Sequence, residues 1–206
     1  MERLKAVVLG SAAGGGFPQW NCRCPVCRLA WAGDLRVRAR TQTSIAVSID
    51  GSRWVLLNAA PDLRTQIVAT PALQPQAARV RDSPVEAVIL TGGEVDEIAG
   101  LLHLRERQPL AVIGTAATLD TLAANSVFDA LAPDVVERRR VAACEPFSIA
   151  GIEVELFTVP GKAPLYLERS EPPMSADSTA NVGVSLRANG RHLVFVPAAA
   201  AMTQAL

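Results

Sequence analysis

Charge of one sign is missing from this chain: 20 Lys and Arg balance 20 Asp and Glu, for a formal net charge of zero over 206 residues. No basic run exceeds the short "ERRR" at 137–140. Nucleic acid and anionic membrane surfaces therefore have no electrostatic footprint here, and neither is expected as a partner. Long hydrophobic runs are also missing, and no stretch approaches the roughly 20 apolar residues of a membrane-crossing helix. The start, "MERLKAVVLGSAAG", is basic, then apolar, then small, as a signal peptide would be. Its apolar core, Ala6–Leu9, is shorter than a signal core and runs into a glycine loop, so it reads as a buried first strand. Cysteine is scarce and poorly placed for disulfides: of four, three crowd into residues 22–27 and Cys144 stands alone. That spacing speaks for reduced thiols, a metal and a cytoplasmic setting. Internal repeats and low-complexity tracts are lacking as well.

What is present is core-forming material. Half the residues are hydrophobic, enough to bury a sizeable interior. "KAVVLGS" reads as a central strand, and "SIAVSIDGSRWVLLNA" as two alternating runs hinged on Asp50–Gly51, a hairpin signal. Residues 62–73 have helical spacing, with Asp62 as N-cap and Pro71 as the stop. A buried strand over 85–92 leads to a helix over 93–107, then come a strand at "PLAVIGT", a helix at "AATLDTLAANSVFDAL", a strand at "EVELFTVP" and a hairpin at "GVSLRANGRHLVFVP". These define a mixed sheet with helices packed on it, in the α/β or α+β range, as a single domain over 1–206. The Pro- and charge-rich stretch 162–178 reads as one long surface loop. "HLVFVPAAAAMTQAL" stops as a strand hands over to an expected helix. Either the covering element is supplied elsewhere or the chain is incomplete at its C-terminus.

Cys22, Cys24 and Cys27 follow "GSAAGGGFPQWN" in a C-x-C-x-x-C pattern. Three thiolates so spaced can bend round one tetrahedral cation, and zinc is the expected ion in a structural role. Gly14, Gly15 and Gly16 supply backbone freedom, and Pro25 stiffens the turn. The competing reading is three free cysteines in a loop. A fourth ligand is open among Cys144, His103, His192 and a residue that this chain lacks.

Eight stretches carry a resemblance: "GSAAGGGFPQWNCRCPVC" (10–27), "RTQTSIAVS" (40–48), "NAAPDLRTQI" (58–67), "LQP" (73–75), "DSPVEAVILT" (82–91), "DEIAGLLHLRE" (96–106), "KAPLY" (162–166) and "NVGVSL" (181–186). In order and spacing they are similar to successive blocks of the pyrroloquinoline quinone biosynthesis protein B family. The resemblance implies a metallo-β-lactamase-like αββα sandwich: two sheets face to face with helices outside. It implies a part in making the cofactor pyrroloquinoline quinone (PQQ) through metal-dependent hydroxylation of the tyrosine in a Glu–Tyr precursor. Alternatives are a non-catalytic, zinc-stabilised carrier and a protein that moves PQQ or its precursor towards the periplasm. The family runs roughly a third longer and adds late aspartate and histidine blocks, so this chain is expected to be C-terminally truncated and to turn over little by itself.

The superfamily's metal motif, His-x-His-x-Asp-His, falls on Gly92–Glu97. Asp96 matches its aspartate, while Glu97 and Glu94 stand at histidine positions and no histidine remains in the window, which argues against a dizinc hydrolase. Glu94, Asp96 and Glu97 are thus candidate ligands for an active-site cation, with iron(II) suited to carboxylates and Asp96 the candidate catalytic residue. Their competing reading is the acidic first turn of a helix. Arg64 and Lys162 are candidates for binding substrate carboxylates, with Arg105 and Tyr166 as weaker ones, against a default of solvated surface. The expected partner is a tyrosine-containing peptide or dipeptide, and the sequence leaves room for a homo-oligomer.

Overall fold

The alternating runs of the first third pair as the sequence expects. In the computed structural model, which describes residues 3–76, 79–161, 164–167 and 179–201, β1 (Lys5–Gly10) is followed by a short helix, α1 (Pro25–Trp31). β2 (Ser44–Ser48) pairs antiparallel with β1 and with β3 (Trp54–Leu57). The β2–β3 turn is built on Asp50, whose Oδ1 accepts from Arg53 N at 2.9 Å and Ser52 N at 2.8 Å. These bonds, the one from Arg53 foremost, hold the Asp50 carboxyl well below the usual carboxylate range. Gly51 takes a φ of 81°, which a residue without Cβ adopts at no steric cost.

Beyond β3 the sheet turns parallel. α2 (Leu63–Ala69) crosses to β4 (Val85–Ile89), and α3 (Val95–Ile98), extended by a 3-10 stretch over Ala99–Leu104, crosses to β5 (Leu110–Gly114). α4 (Ala116–Ala123) crosses to β6 (Val136–Arg140). The order β1-β2-β3-β4-β5-β6 leaves β1 and β6 as edges, so the first strand, expected to be central and buried, is an edge strand of which only Gly10 is buried. β7 (Phe147–Ile149), β8 (Ile152–Thr158), β9 (Val182–Ala188) and β10 (Arg191–Phe195) form a second, antiparallel sheet in the order β10-β9-β8-β7. The loop expected over 162–178 lies outside the described residues apart from 164–167, and so does the stretch 202–206 of the expected closing helix.

Two cores follow from strand alternation. Val55, Leu57, Ala87, Ile89 and Ile113 meet Ile152, Val154, Leu156, Val184 and Leu186 between the sheets. On the other face Leu56, Val88 and Val112 meet Leu63, Leu101, Leu119 and Leu122 from the helical layer. Each fully buried Leu or Ile contributes roughly 1.5–3 kcal/mol through burial. This is the helix–sheet–sheet part of the expected sandwich. The outer face of the second sheet, with Glu153, Arg187 and His192, carries no helix among the described residues.

Three further expectations change. The helix expected over "AATLDTLAANSVFDAL" ends at Ala123, and Ser126–Ala130 forms a separate 3-10 turn. The helix over 93–107 is α-helical only to Ile98, because its ladder is diverted: Ala59 N donates to Glu97 O at 2.7 Å and Gly100 N donates to Ala59 O at 2.8 Å. Gly100 sits so close to the β3–α2 connection that a Cβ there would lie 2.1 Å from Ala60 O. Asp62 occupies the N-cap position of α2 but makes no cap bond; its Oδ2 accepts from Gln42 N at 2.8 Å instead. The "ERRR" run, assigned to no element in the sequence, is strand β6: Arg138 donates to Phe128 O at 2.9 Å, Arg140 pairs with Asp120 at 2.6 Å and the Arg139 guanidinium lies 5.1 Å from the Phe147 ring centre.

Candidate metal-binding sites

The thiol loop is organised by α1. Pro25 fills the first helical position, where a missing N–H costs nothing, and Cys24 is the N-cap. Cys24 Sγ accepts from Cys27 N, and Cys22 Sγ accepts from Cys24 N, both at 3.5 Å. Trp31 Nε1 ties the end of the helix back to Cys22 O at 3.1 Å. The three sulfurs lie within 4.8 Å of one another. The Cys27 N–H, with help from the neighbouring sulfurs, lowers the Cys24 thiol to about 7. Cys27 shifts upward: a backbone bond from Gln19 opposes this, but desolvation and the adjacent thiols outweigh it. Three converging soft donors, one already inclined to ionise, fit a zinc ion. None of the proposed fourth ligands joins them among the described residues: Cys144 pairs its backbone with Leu156, His103 is exposed on the 3-10 stretch, and His192 bonds Ser185 Oγ at 2.9 Å.

The carboxylates lie at the C-terminal end of β4, where open parallel sheets place their ligands. Glu97 is 7% exposed and both its oxygens are engaged: Thr91 Oγ1 donates to Oε1 at 2.8 Å and Glu94 N donates to Oε2 at 3.1 Å. The second bond is the Glu97 half of a capping box, so the acidic-first-turn reading holds for it as local structure. Thr91 is itself clamped by Asn58, whose Oδ1 accepts from Thr91 N at 2.9 Å and whose Nδ2 donates to Thr91 Oγ1 at 2.8 Å. Asp96 is half-buried and its Oδ1 accepts from Gln42 Nε2 at 2.8 Å. Burial pushes both carboxyls up; for Glu97 the charges of Glu94 and Asp96 add to it. Neither Asp96 nor Glu97 has a basic partner among the described residues.

Glycines line this acid cluster. A Cβ at Gly14 would lie 2.5 Å from Asp96 Oδ2, and one at Gly92 would lie 2.4 Å from Glu97 Oε2. Two carboxylates poor in compensating charge, packed where only glycine lets the backbone come so near, fit a hard or intermediate cation. The oxygens of Glu94, Asp96 and Glu97 do not converge as the sulfurs do. Beside them, Gly93, Thr118, Thr121, Asn125, Tyr166 and Ala180 line a cavity of about 660 Å³. Tyr166 Oη donates to Gly93 O at 2.5 Å, and burial followed by the Glu94 charge raises its phenol.

The remaining candidates scatter. Arg64 is exposed and lines a different groove, with His103 and Arg105. Arg105 donates to Leu102 O at 2.7 Å. Lys162 lies outside the described residues. Sequence reasoning missed Gln42, Thr91 and the role of Gly14 towards Asp96. Only the triple glycine signals any of them, and in the sequence it points to the adjacent thiols.

A helical layer on two stacked sheets, with acidic residues at the end of a parallel strand, defines a protein of the metallo-β-lactamase class. Residues 53–206 match the beta-lactamase superfamily domain. Across 204 residues the chain is 53% identical to coenzyme PQQ synthesis protein B of Methylobacterium nodulans and 47% identical to that of Xanthomonas oryzae pv. oryzae, covering 98% of this chain and 68% of each relative. The crystal structure of Zn(2+)-bound PqqB from Methylobacterium extorquens superposes with a TM-score of 0.94 at 51% identity, again over 98% of this chain and 68% of that one. A diphosphatase of the PhnP family shares the fold at a TM-score of 0.62 and 23% identity, over 90% of this chain and 63% of that one. The chain belongs to the coenzyme PQQ synthesis protein B family.

Proposed function

We propose that the chain serves PQQ synthesis in the cytoplasm through oxidation of the tyrosine ring of a Glu–Tyr peptide or dipeptide, with zinc held at Cys22, Cys24 and Cys27 and iron(II) at Asp96 and Glu97. The observation that carries this reading is Asp96 and Glu97 side by side at the end of β4, half-buried and buried, with no basic partner among the described residues. Iron(II), when bound, supplies the activation of dioxygen that a closed-shell cation lacks. In balance, one oxygen atom inserts into a ring C–H bond to give a hydroxyl and the other leaves as water, consuming two electrons and two protons from an added reductant.

The chain's own residues supply the frame. Asp96 and Glu97 offer anionic oxygens, Thr91 and Asn58 hold Glu97, and Tyr166 borders the cavity that receives the substrate ring. Lys162 adjoins the loop bordering that cavity in sequence and is the better candidate for a substrate carboxylate; Arg64, in a separate groove, is the poorer one.

The test is metal analysis followed by turnover. One zinc per chain that leaves only on thiol modification, plus a labile iron(II) lost in Asp96→Ala, supports the reading. Glu–Tyr incubated with a family member of full length, iron(II), ascorbate and air then gains one ring oxygen by mass spectrometry, while the 206 residues alone turn over little. Zinc alone, with no labile second metal, overturns the reading. The missing motif histidines favour a second reading, a zinc-stabilised carrier of PQQ or its precursor, including one acting towards the periplasm; that result would select it.

A further inference from the structure

Asp96 is gripped at one oxygen and packed against a glycine at the other. Gln42 Nε2 donates to Oδ1 at 2.8 Å, across 54 residues of sequence. Oδ2 faces Gly14, where a Cβ would fall 2.5 Å away. We infer that Gln42 and Gly14 are positioning residues for Asp96: the amide fixes one carboxylate oxygen, and the missing side chain at Gly14 lets the carboxylate lie close against the loop in the orientation that serves a cation. This rests on the reading of Asp96 as a metal ligand.

Gln42 is suited to the task because its own backbone is held on both sides. Its N–H donates to Asp62 Oδ2 at 2.8 Å, and its carbonyl accepts from Gln66 Nε2 at 2.8 Å. Gln66, 2% exposed, also donates to Thr41 Oγ1 at 3.1 Å, and that hydroxyl donates to Leu9 O at 2.9 Å. The amide is therefore anchored to the end of β1 and the start of α2. A carboxylate torsion is broad and roughly two-fold, so one fixed donor sets which oxygen turns outward. The donor is also neutral: a lysine or arginine there would cancel the charge a cation needs, whereas an amide orients it and leaves it intact. Outer partners of this kind set ligand geometry at metal sites in general.

Gly14 contributes by absence of substance. Its φ lies outside the left-handed region, so alanine meets no backbone penalty there. The new methyl would also come 3.3 Å from Asp96 Cγ, displacing the carboxylate.

The experiment loads the thiols of the chain with zinc, then titrates cobalt(II) by d–d absorption and equilibrium dialysis. Asp96→Ala should abolish the labile cobalt. Gln42→Met, which keeps length and both backbone bonds but loses the donor, should weaken it about 10- to 100-fold. Gly14→Ala should weaken it at least as much, while Gly114→Ala, whose methyl meets nothing closer than 3.5 Å, should bind as the parent does. Circular dichroism and zinc content should stay at parental values in Gln42→Met, and if Gly14→Ala is misfolded the Gln42→Met titration decides alone. Labile cobalt lost in Asp96→Ala yet unchanged in Gln42→Met overturns the inference and leaves the metal reading standing. No labile cobalt in the parent overturns both.

Discussion

Replacing Glu97 by glutamine should leave the metal-free protein as stable as the parent at acidic pH and make it more stable at alkaline pH. Glu97 is nine-tenths shielded, and its charge is opposed by burial and by Glu94 and Asp96. Its two hydrogen bonds survive the change. In Glu97→Gln the amide oxygen takes the Glu94 N–H, and the amide nitrogen donates to Thr91 Oγ1, whose own proton swings to Asn58 Oδ1, 3.1 Å away. Glu97→Ala has no such escape: it loses a cap bond and a bond to a buried hydroxyl, about 1–3 kcal/mol together. The pH dependence has a fixed sign. A carboxyl whose folded pKa is raised binds more protons folded than unfolded, so its stabilising contribution is full below the unfolded value and fades as pH rises through the folded one. Urea unfolding of metal-stripped parent and Glu97→Gln at pH 5 and pH 8 measures this directly. If Glu97→Gln falls as far as Glu97→Ala at pH 8, or if the parent gains on the variant as pH rises, the account of Glu97 is wrong.

Other outcomes are sharp enough to check. In the metal-free chain iodoacetamide near neutral pH should label exposed Cys24, with its thiol lowered to about 7, well before buried Cys27; bound zinc should protect both, as peptide mass mapping reads out. Gly100→Ala should cost about 3 kcal/mol or prevent folding, because its methyl would strike the backbone oxygens of Ala59 and Ala60, seen as a lowered midpoint in thermal unfolding. Asn58→Ala, at a φ of 63° and with three bonds to Thr91 lost, should destabilise by roughly 2–4 kcal/mol and expose Thr91 N to hydrogen exchange.

Strands and hairpins were legible because alternation is a local property: Val55, Leu57 and their neighbours show it without knowledge of what they face. The "ERRR" edge strand was not, since a strand shielded by charge on its open side loses that alternation. The 93–107 segment reads as one helix because its apolar spacing is helical; the bonds with Ala59 that divert it come from a connection over 30 residues earlier. The same distance in sequence hid Gln42 and Gly14, for nothing near either residue hints that Asp96 lies between them. The thiol cluster was legible because all its parts fall within one turn and one helix start. The fourth ligand was not, and the three candidates proposed for it lie apart from the sulfurs.

The outermost parallel strand, Val136–Arg140, matters for what it prevents. Among the described residues no strand pairs with its outer side, which would template the addition of a foreign strand, yet three guanidinium groups and a carboxylate flank it. A neighbouring copy arriving edge-on meets hydrated charged side chains before it meets an open ladder. That makes the arginine run a colloidal safeguard, and neutralising it would show first as turbidity in concentrated solution, with the folded midpoint scarcely altered.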